Sequence, residues 1–207
     1  TAVYTISGSV FPYVGIAPQK IYTLGVVKAY TTRVGNGPFP TELLDKTGDE
    51  IRKRGVEFGT VSKRPRRCGW LDLCLLRTAK RLSGFDYLAI TKLDVLSSLS
   101  RIKVCTYYEI KHGFYSSSRP RFNRGVSRSS RSRQTQQPRL TWQARTIKEV
   151  PTIMTEFSNC RPIFREFKGW KKDISQVRRF QNLPNEAKIY VNFIEKSLKV
   201  PVRYIFV

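Results

Sequence analysis

The sequence predicts an α/β fold: a mixed or parallel sheet with flanking helices, interrupted by a disordered basic insertion. Three observations carry that expectation. Helical stretches alternate with β-branched apolar runs between residues 20 and 110, the pattern of layered α/β structure. The 207 residues are 40% apolar and 12% aromatic, enough to bury a sizeable core. From residue 113 to 147, Ser, Arg and Gln replace patterned apolar residues, so ordering that segment would not be offset by burial. The chain therefore divides into an α/β core part at 1–112, the Ser/Arg-rich segment at 113–147, and a C-terminal helix–strand part of the same domain at 148–207.

Each element follows in order. "KIYTLGVVKAYTTRVG" (20–35) is strand-like and meets the turn cluster "GNGPFP". "TELLDKTGDEIRKRG" (41–55) is a helix: Thr47 can cap it, Asp49 and Glu50 fall in its first turn, Arg52–Arg54 in its last, and Gly55 closes it. In "GWLDLCLLRTAKRLSG" (69–84), Leu71, Leu75, Ala79 and Leu82 repeat at helical spacing and Gly84 sits at the C-cap. "FDYLAITKLDVL" (85–96) is a buried strand running into a loop, and "IKVCTYYEI" (102–110) is another strand. "LPNEAKIYVNFIEKSL" (183–198) aligns Ala187, Val191, Ile194 and Leu198 on one helical face, with Pro201 as its stop. "VRYIFV" (202–207) is a strand, and the sequence reads as cut within it.

Net charge is +23, which favours phosphate-rich partners. Ten of the cations fall between Lys111 and Lys148, where there is no acid. With Phe114, Tyr115, Phe122 and Trp142 to stack on bases, that stretch could track a nucleic-acid strand; the plainer reading is a solvated insertion. Cys68, Cys74, Cys105 and Cys160 form no C-x-x-C pair. The only His, His112, lies away from all four and sits by Gly113 in an expected turn. This pattern argues against zinc and for reduced structural thiols in a cytosolic setting. No run of ~18 apolar residues suggests a membrane span, so the protein reads as soluble.

Two stretches could carry chemistry. Lys92-Leu93-Asp94, at the end of a buried strand, suits guanine: a carboxylate accepts from the ring N–H and exocyclic amine, and a Lys stem packs on the base. The alternative is a surface Lys and a helix-capping Asp. In "EFGTVSKRPRRCGWLDL" (57–73), Lys63, Arg64, Arg66 and Arg67 crowd five positions around Pro65. Guanidinium groups bind phosphate or carboxylate bidentately, although a solvated loop, or pairing of Asp72 with Arg66 or Arg67, accounts for the same residues. There is no nucleophile–base arrangement and no Gly-rich phosphate loop of familiar spacing.

Together these segments resemble the C-terminal half of the adenylosuccinate synthetases. The residues carrying the likeness are "GVVKAYTTRVGNGPFPTEL", "EFGTVSKRPRRCGWLDL", "LAITKLDVL", "IKVC", "GWKKDIS", "LPNEA" and "IEKSLKVPV". The resemblance implies a fragment of a nucleotide-binding α/β fold. It also implies a cytoplasmic, homodimeric ligase of purine synthesis that couples IMP to L-aspartate with GTP and Mg2+. In that family the 6-oxygen of IMP is phosphorylated and the aspartate amine then displaces phosphate, chemistry that calls for clustered cations.

Carried over by position, Thr60, Val61, Ser62, Lys63, Arg64, Pro65 and Arg66 would form the aspartate-binding loop. Arg64 would also reach IMP, Arg66 the GTP side, and Thr1 would match an IMP-binding threonine. Lys92, Leu93 and Asp94 would bind the guanine of GTP. The family's phosphate loop, catalytic aspartate and following histidine have no counterpart in these residues. The expectation is therefore a fragment with no catalytic residue of its own, inactive alone, whose Mg2+ ligands belong to the absent part. Val61-Ser62-Lys63 replace Thr-Thr-Gly, and Phe206 stands where a guanine-contacting serine is expected. A basic nucleic-acid-binding protein acting through 113–147, or a decayed remnant of the ligase, are the competing readings.

Overall fold

The computed structural model describes the backbone of residues 6–116 and 139–207, with side chains at 6–111 and 143–207. In chain order it contains α1 (Val10–Val14), β1 (Leu24–Lys28), β2 (Thr31–Arg33), α2 (Lys46–Arg54), β3 (Arg67–Gly69) and β4 (Leu71–Asp72). Then follow α3 (Leu73–Ser83), β5 (Tyr87–Thr91), β6 (Arg101–Ser116), β7 (Arg139–Ile147), α4 (Met154–Asn159), β8 (Arg161–Lys168), α5 (Asn185–Leu198) and β9 (Val202–Ile205). The expected α/β class with parallel and mixed sheets is what the chain adopts.

β1, β5 and β9 form a parallel sheet in the order β1-β5-β9. Their carboxyl ends, Lys28, Thr91 and Ile205, therefore share one edge, the side of a parallel sheet where ligands bind. β2 pairs antiparallel with β3. β6 pairs parallel with β4 and antiparallel with β7 and β8.

The run 20–35 supplies two strands in different sheets rather than one, because the chain leaves the parallel sheet at Ala29 and Tyr30. Both of those residues are buried. Helix α2 is capped by Asp45, whose carboxylate accepts from Gly48 N–H at 3.1 Å, and not by Thr47. Leu71 belongs to β4 and Leu82 is exposed; α3 instead buries Leu73 and Cys74. Gly84 closes α3 in the left-handed conformation, φ 59°, as expected of a C-cap glycine.

On α5 the four expected positions, Ala187, Val191, Ile194 and Leu198, are all buried, and Tyr190 joins them. Its hydroxyl donates to Ala29 O at 2.7 Å, tying the helix to the end of β1. Phe167 packs edge-on to Tyr190, with ring centroids 5.7 Å apart. Trp170 donates to Ser97 Oγ at 3.1 Å, so the polar atoms of both Tyr190 and Trp170 are satisfied inside the core.

His112 and Gly113 lie in β6, opposite Gln143 and Trp142, rather than in a turn. The expected disordered segment at 113–147 is strand at its described flanks, 113–116 and 139–147. Cross-strand hydrogen bonds give those flanks an order that their composition does not. The remainder, with the nucleic-acid expectation built on it, lies outside the described residues.

Candidate functional site

The basic knot forms the tip of a hairpin. Phe58 and Pro65 bridge across its base, Gly59 N–H donates to Arg64 O at 2.9 Å, and Lys63 N–H donates to Gly59 O at 3.0 Å. Lys63 takes φ 53°, the left-handed region a non-glycine residue rarely adopts. It does so at the position where the resemblance places glycine. Thr60, Val61, Ser62, Lys63, Arg64 and Pro65 are exposed, and Arg66 is half-buried at the foot of the loop. The Ser62 hydroxyl accepts from Arg64 N–H at 3.4 Å.

The four cations have separate fates. Lys63 and Arg64 point from the tip without an ion-pair partner among the described residues. Arg66 donates to Glu57 at 2.9 Å. Arg67 is structural: its Nε donates to Glu42 at 2.7 Å, and its Nη1 to the carbonyls of Gly35 and Gly37. Asp72 pairs with neither arginine. It caps α3, accepting from Cys74 and Leu75 N–H at 2.9 and 3.3 Å, and accepts the Tyr108 hydroxyl.

Glu57 is the residue that reading the sequence missed. Its side chain is fully buried, yet it meets three cations. Its Oε1 accepts from Lys28 Nζ at 2.7 Å, the Tyr30 hydroxyl at 2.6 Å and Lys92 Nζ at 3.4 Å, and Oε2 accepts from Arg66. Burial opposes the ionised carboxylate. The hydrogen bonds from Lys28, Tyr30 and Arg66 outweigh it and lower the carboxyl from 4.5 to about 2. Burial, and then Glu57 itself, pushes the Tyr30 phenol up. One signal was legible: Glu57 is the only acid between Gly55 and Arg67.

Lys92 also takes the left-handed conformation, φ 57°, directly after the carboxyl end of β5. Its ammonium donates to the Gly55 carbonyl as well as to Glu57. Leu93 is buried and anchors the triplet, while no hydrogen bond or ion pair among the described residues holds the half-buried Asp94 carboxylate. The short helical turn Leu93–Ser98 has no side-chain cap, so Asp94 is not the capping residue of the plainer reading. Phe206 donates its N–H to Ile90 O at 2.7 Å and its carbonyl accepts from Leu93 N–H at 3.5 Å, which sets its backbone beside the triplet; its ring is exposed. A cavity of about 620 Å³ opens next to Phe206, lined in part by Arg178, Asn192 and Arg203; the triplet does not line it.

The structure thus brings Arg66 of the loop and Lys92 of the triplet onto one carboxylate, at the carboxyl edge of the parallel sheet. Thr1 lies outside the described residues. As for metals, Asp72, Cys74 and Cys105 place their ligand atoms within 4.8 Å of one another. The Asp72 oxygens are already engaged, and two thiols do not suit Mg2+. This cluster therefore does not suit Mg2+. All four cysteines are free thiols. No helix among the described residues is long and apolar enough to cross a membrane.

The model of the adenylosuccinate synthetase family matches residues 1–207. Adenylosuccinate synthetase of Thermodesulfovibrio yellowstonii is 41% identical over 206 residues, covering 99% of this chain and 41% of that protein. That of Desulforamulus reducens is 44% identical over 194 residues, covering 93% of this chain and 38% of the relative. Fully ligated adenylosuccinate synthetase of Plasmodium falciparum superposes with a TM-score of 0.77 at 37% identity, over 97% of this chain and 41% of that one. The chain thus spans about two fifths of the length of the curated relatives it matches.

Proposed function

Because this chain belongs to the adenylosuccinate synthetase family, we propose that the protein carrying it ligates IMP and L-aspartate at the expense of GTP in purine nucleotide synthesis. Within it, Thr60 through Arg66 bind aspartate, and Arg64 reaches across to IMP, as would Thr1. Arg66 faces the GTP side, and Lys92, Leu93 and Asp94 bind guanine. The observation that carries this reading is the meeting of the 60–66 loop and the 92–94 triplet on Glu57. Segments expected to hold different substrates of one reaction lie side by side at a sheet edge suited to ligands.

The chemistry of each group fits its role. Asp94 presents two free acceptors to a base edge carrying two donors. Arg64, unpaired at the loop tip, has its whole guanidinium fork available for carboxylate or phosphate. Positioned cations neutralise the negative charge that accumulates when phosphoryl transfer and displacement occur between anionic reactants. Mg2+ would add to that neutralisation when bound, with ligands from outside the described residues. The residues described include no base–acid pair for the IMP 6-oxygen, and we infer that these 207 residues do not turn over alone. A cytoplasmic homodimer is the expected working form.

The test is a steady-state assay of the full-length enzyme with IMP, L-aspartate and GTP, comparing wild type with Arg64→Ala. Turnover by the wild type and a KM for aspartate raised at least about ten-fold in the variant, from loss of a charge-assisted bond, are the expected results. A wild type inactive with all three substrates and Mg2+ present would overturn the assignment.

A further inference from the structure

We infer that Glu57 is a positioning residue for this site: one buried carboxylate sets Arg66 of the loop and Lys92 of the triplet together, so that the aspartate and nucleotide ends are held in register. The inference rests on the function proposed above.

Glu57 is itself fixed at both ends. Its N–H donates to Arg52 O at 2.9 Å as the chain leaves α2, and its carbonyl accepts from Arg66 N–H at 2.9 Å across the hairpin base. Its side chain then collects four groups from three segments: Lys28 at the end of β1 and Tyr30 just beyond it, Arg66, and Lys92. One carboxylate beneath three cations leaves the cluster positive overall, which suits anionic substrates.

The cations are held from behind, with their outer sides open. Lys28, Arg66 and Lys92 side chains keep 27%, 30% and 39% of their exposure, whereas Glu57 keeps none. Arg66 spends one Nη1 donor on Glu57, leaving other N–H groups of its fork for a carboxylate or phosphate. Lys92 spends donors on Gly55 O and Glu57 and keeps its stem along the edge where a base would lie. Cations fixed before the ligand arrives need no reorganisation when it binds. Arg64 is not tied to Glu57, so IMP binding provides an internal control.

The experiment measures KM for each substrate in the full-length enzyme carrying Glu57→Gln or Glu57→Asp. Gln keeps the shape and can still accept from Tyr30, but removes the charge that holds three cations. The expected outcome is a rise of about ten-fold in KM for both GTP and L-aspartate, with KM for IMP within about two-fold. Asp should recover part of the loss. A purely structural role would lower the melting temperature and shift no substrate selectively. Unchanged KM values, or an equal rise for all three substrates, in a variant that still melts cooperatively would overturn the inference. Should the Gln variant fail to fold, the Asp variant must show the same split, and its absence there is equally decisive. Wild-type turnover without the split removes Glu57's role alone, whereas a wild type that does not turn over removes the function as well.

Discussion

Glu57 is ionised inside the protein because three cations and a phenol surround it, and this makes the site acid-sensitive. Its folded carboxyl lies near 2 against an ordinary 4.5. The stabilisation it contributes is thus fully present above pH 4.5 and is lost as pH falls from 4.5 towards 2. Glu42, lowered by its bond to Arg67, acts in the same direction. Denaturant unfolding followed by tryptophan fluorescence should show stability falling across that window, and Glu57→Gln should flatten the slope. An unchanged slope would mean that the carboxylate is not paired as described. The two kinds of site residue differ in how much the sequence reveals. Lys92 and Asp94 stand out in the sequence because a Lys-x-Asp at a strand end would suit guanine. Glu57 stands out less, because three of its four partners, Lys28, Tyr30 and Lys92, lie 27 to 35 residues away in sequence. The alternative pairing of Asp72 with Arg66 or Arg67 fails for a related reason: the residues are near in sequence, but the start of α3 turns the Asp72 carboxylate to the helix N–H groups and to Tyr108.

Helix α5 was legible down to its buried face, because a 3.6-residue repeat of Ala187, Val191, Ile194 and Leu198 admits few other packings. Helix α3 was legible in its body and its Gly84 cap, but not in its start or its face. The polypeptide turns from β4 into α3 at Asp72, which shifts the buried side to Leu73 and Cys74 and leaves Leu82 in solvent. Strand β8 gave no signal at all. Only Phe167 among its eight residues is buried, so there is no alternation to read, and pairing with β6 supplies what its side chains do not. The junction at Asp72 can be tested directly. Replacing it with Ala removes the α3 cap and strands the Tyr108 hydroxyl in the interior. The expected cost is about 2–3 kcal/mol, read as a lower urea midpoint. Asp72→Asn, which keeps an acceptor, should cost less. Equal stability of the Ala variant and wild type would contradict the capping geometry.

At the scale of the molecule, the parallel sheet aligns three strand ends so that separate sequence segments become one site. The sequence implied an α/β layer structure, but the strand order β1-β5-β9 depends on pairings 63 or more residues apart that local patterning does not encode. β1 lies at one edge of that sheet with Val26 70% and Leu24 42% exposed, an apolar edge of the kind proteins cover with further structure. The charge of +23 is likewise less informative as a total than in its placement. Arg67 is consumed by Glu42, Arg66 and Lys92 share Glu57, and Lys63 and Arg64 stay free. On the proposed function, this edge reads a guanine nucleotide through Asp94, whose carboxylate has no hydrogen-bond or ion-pair partner among the described residues. The most direct measurement is the ratio of kcat/KM for GTP to that for XTP in the full-length enzyme, in wild type and in Asp94→Asn. Xanthine carries an oxygen where guanine carries an amine, and an Asn amide donates where a carboxylate accepts. A strong wild-type preference for GTP should collapse or invert in the variant; a GTP preference unaltered by the substitution would mean that Asp94 does not read the base.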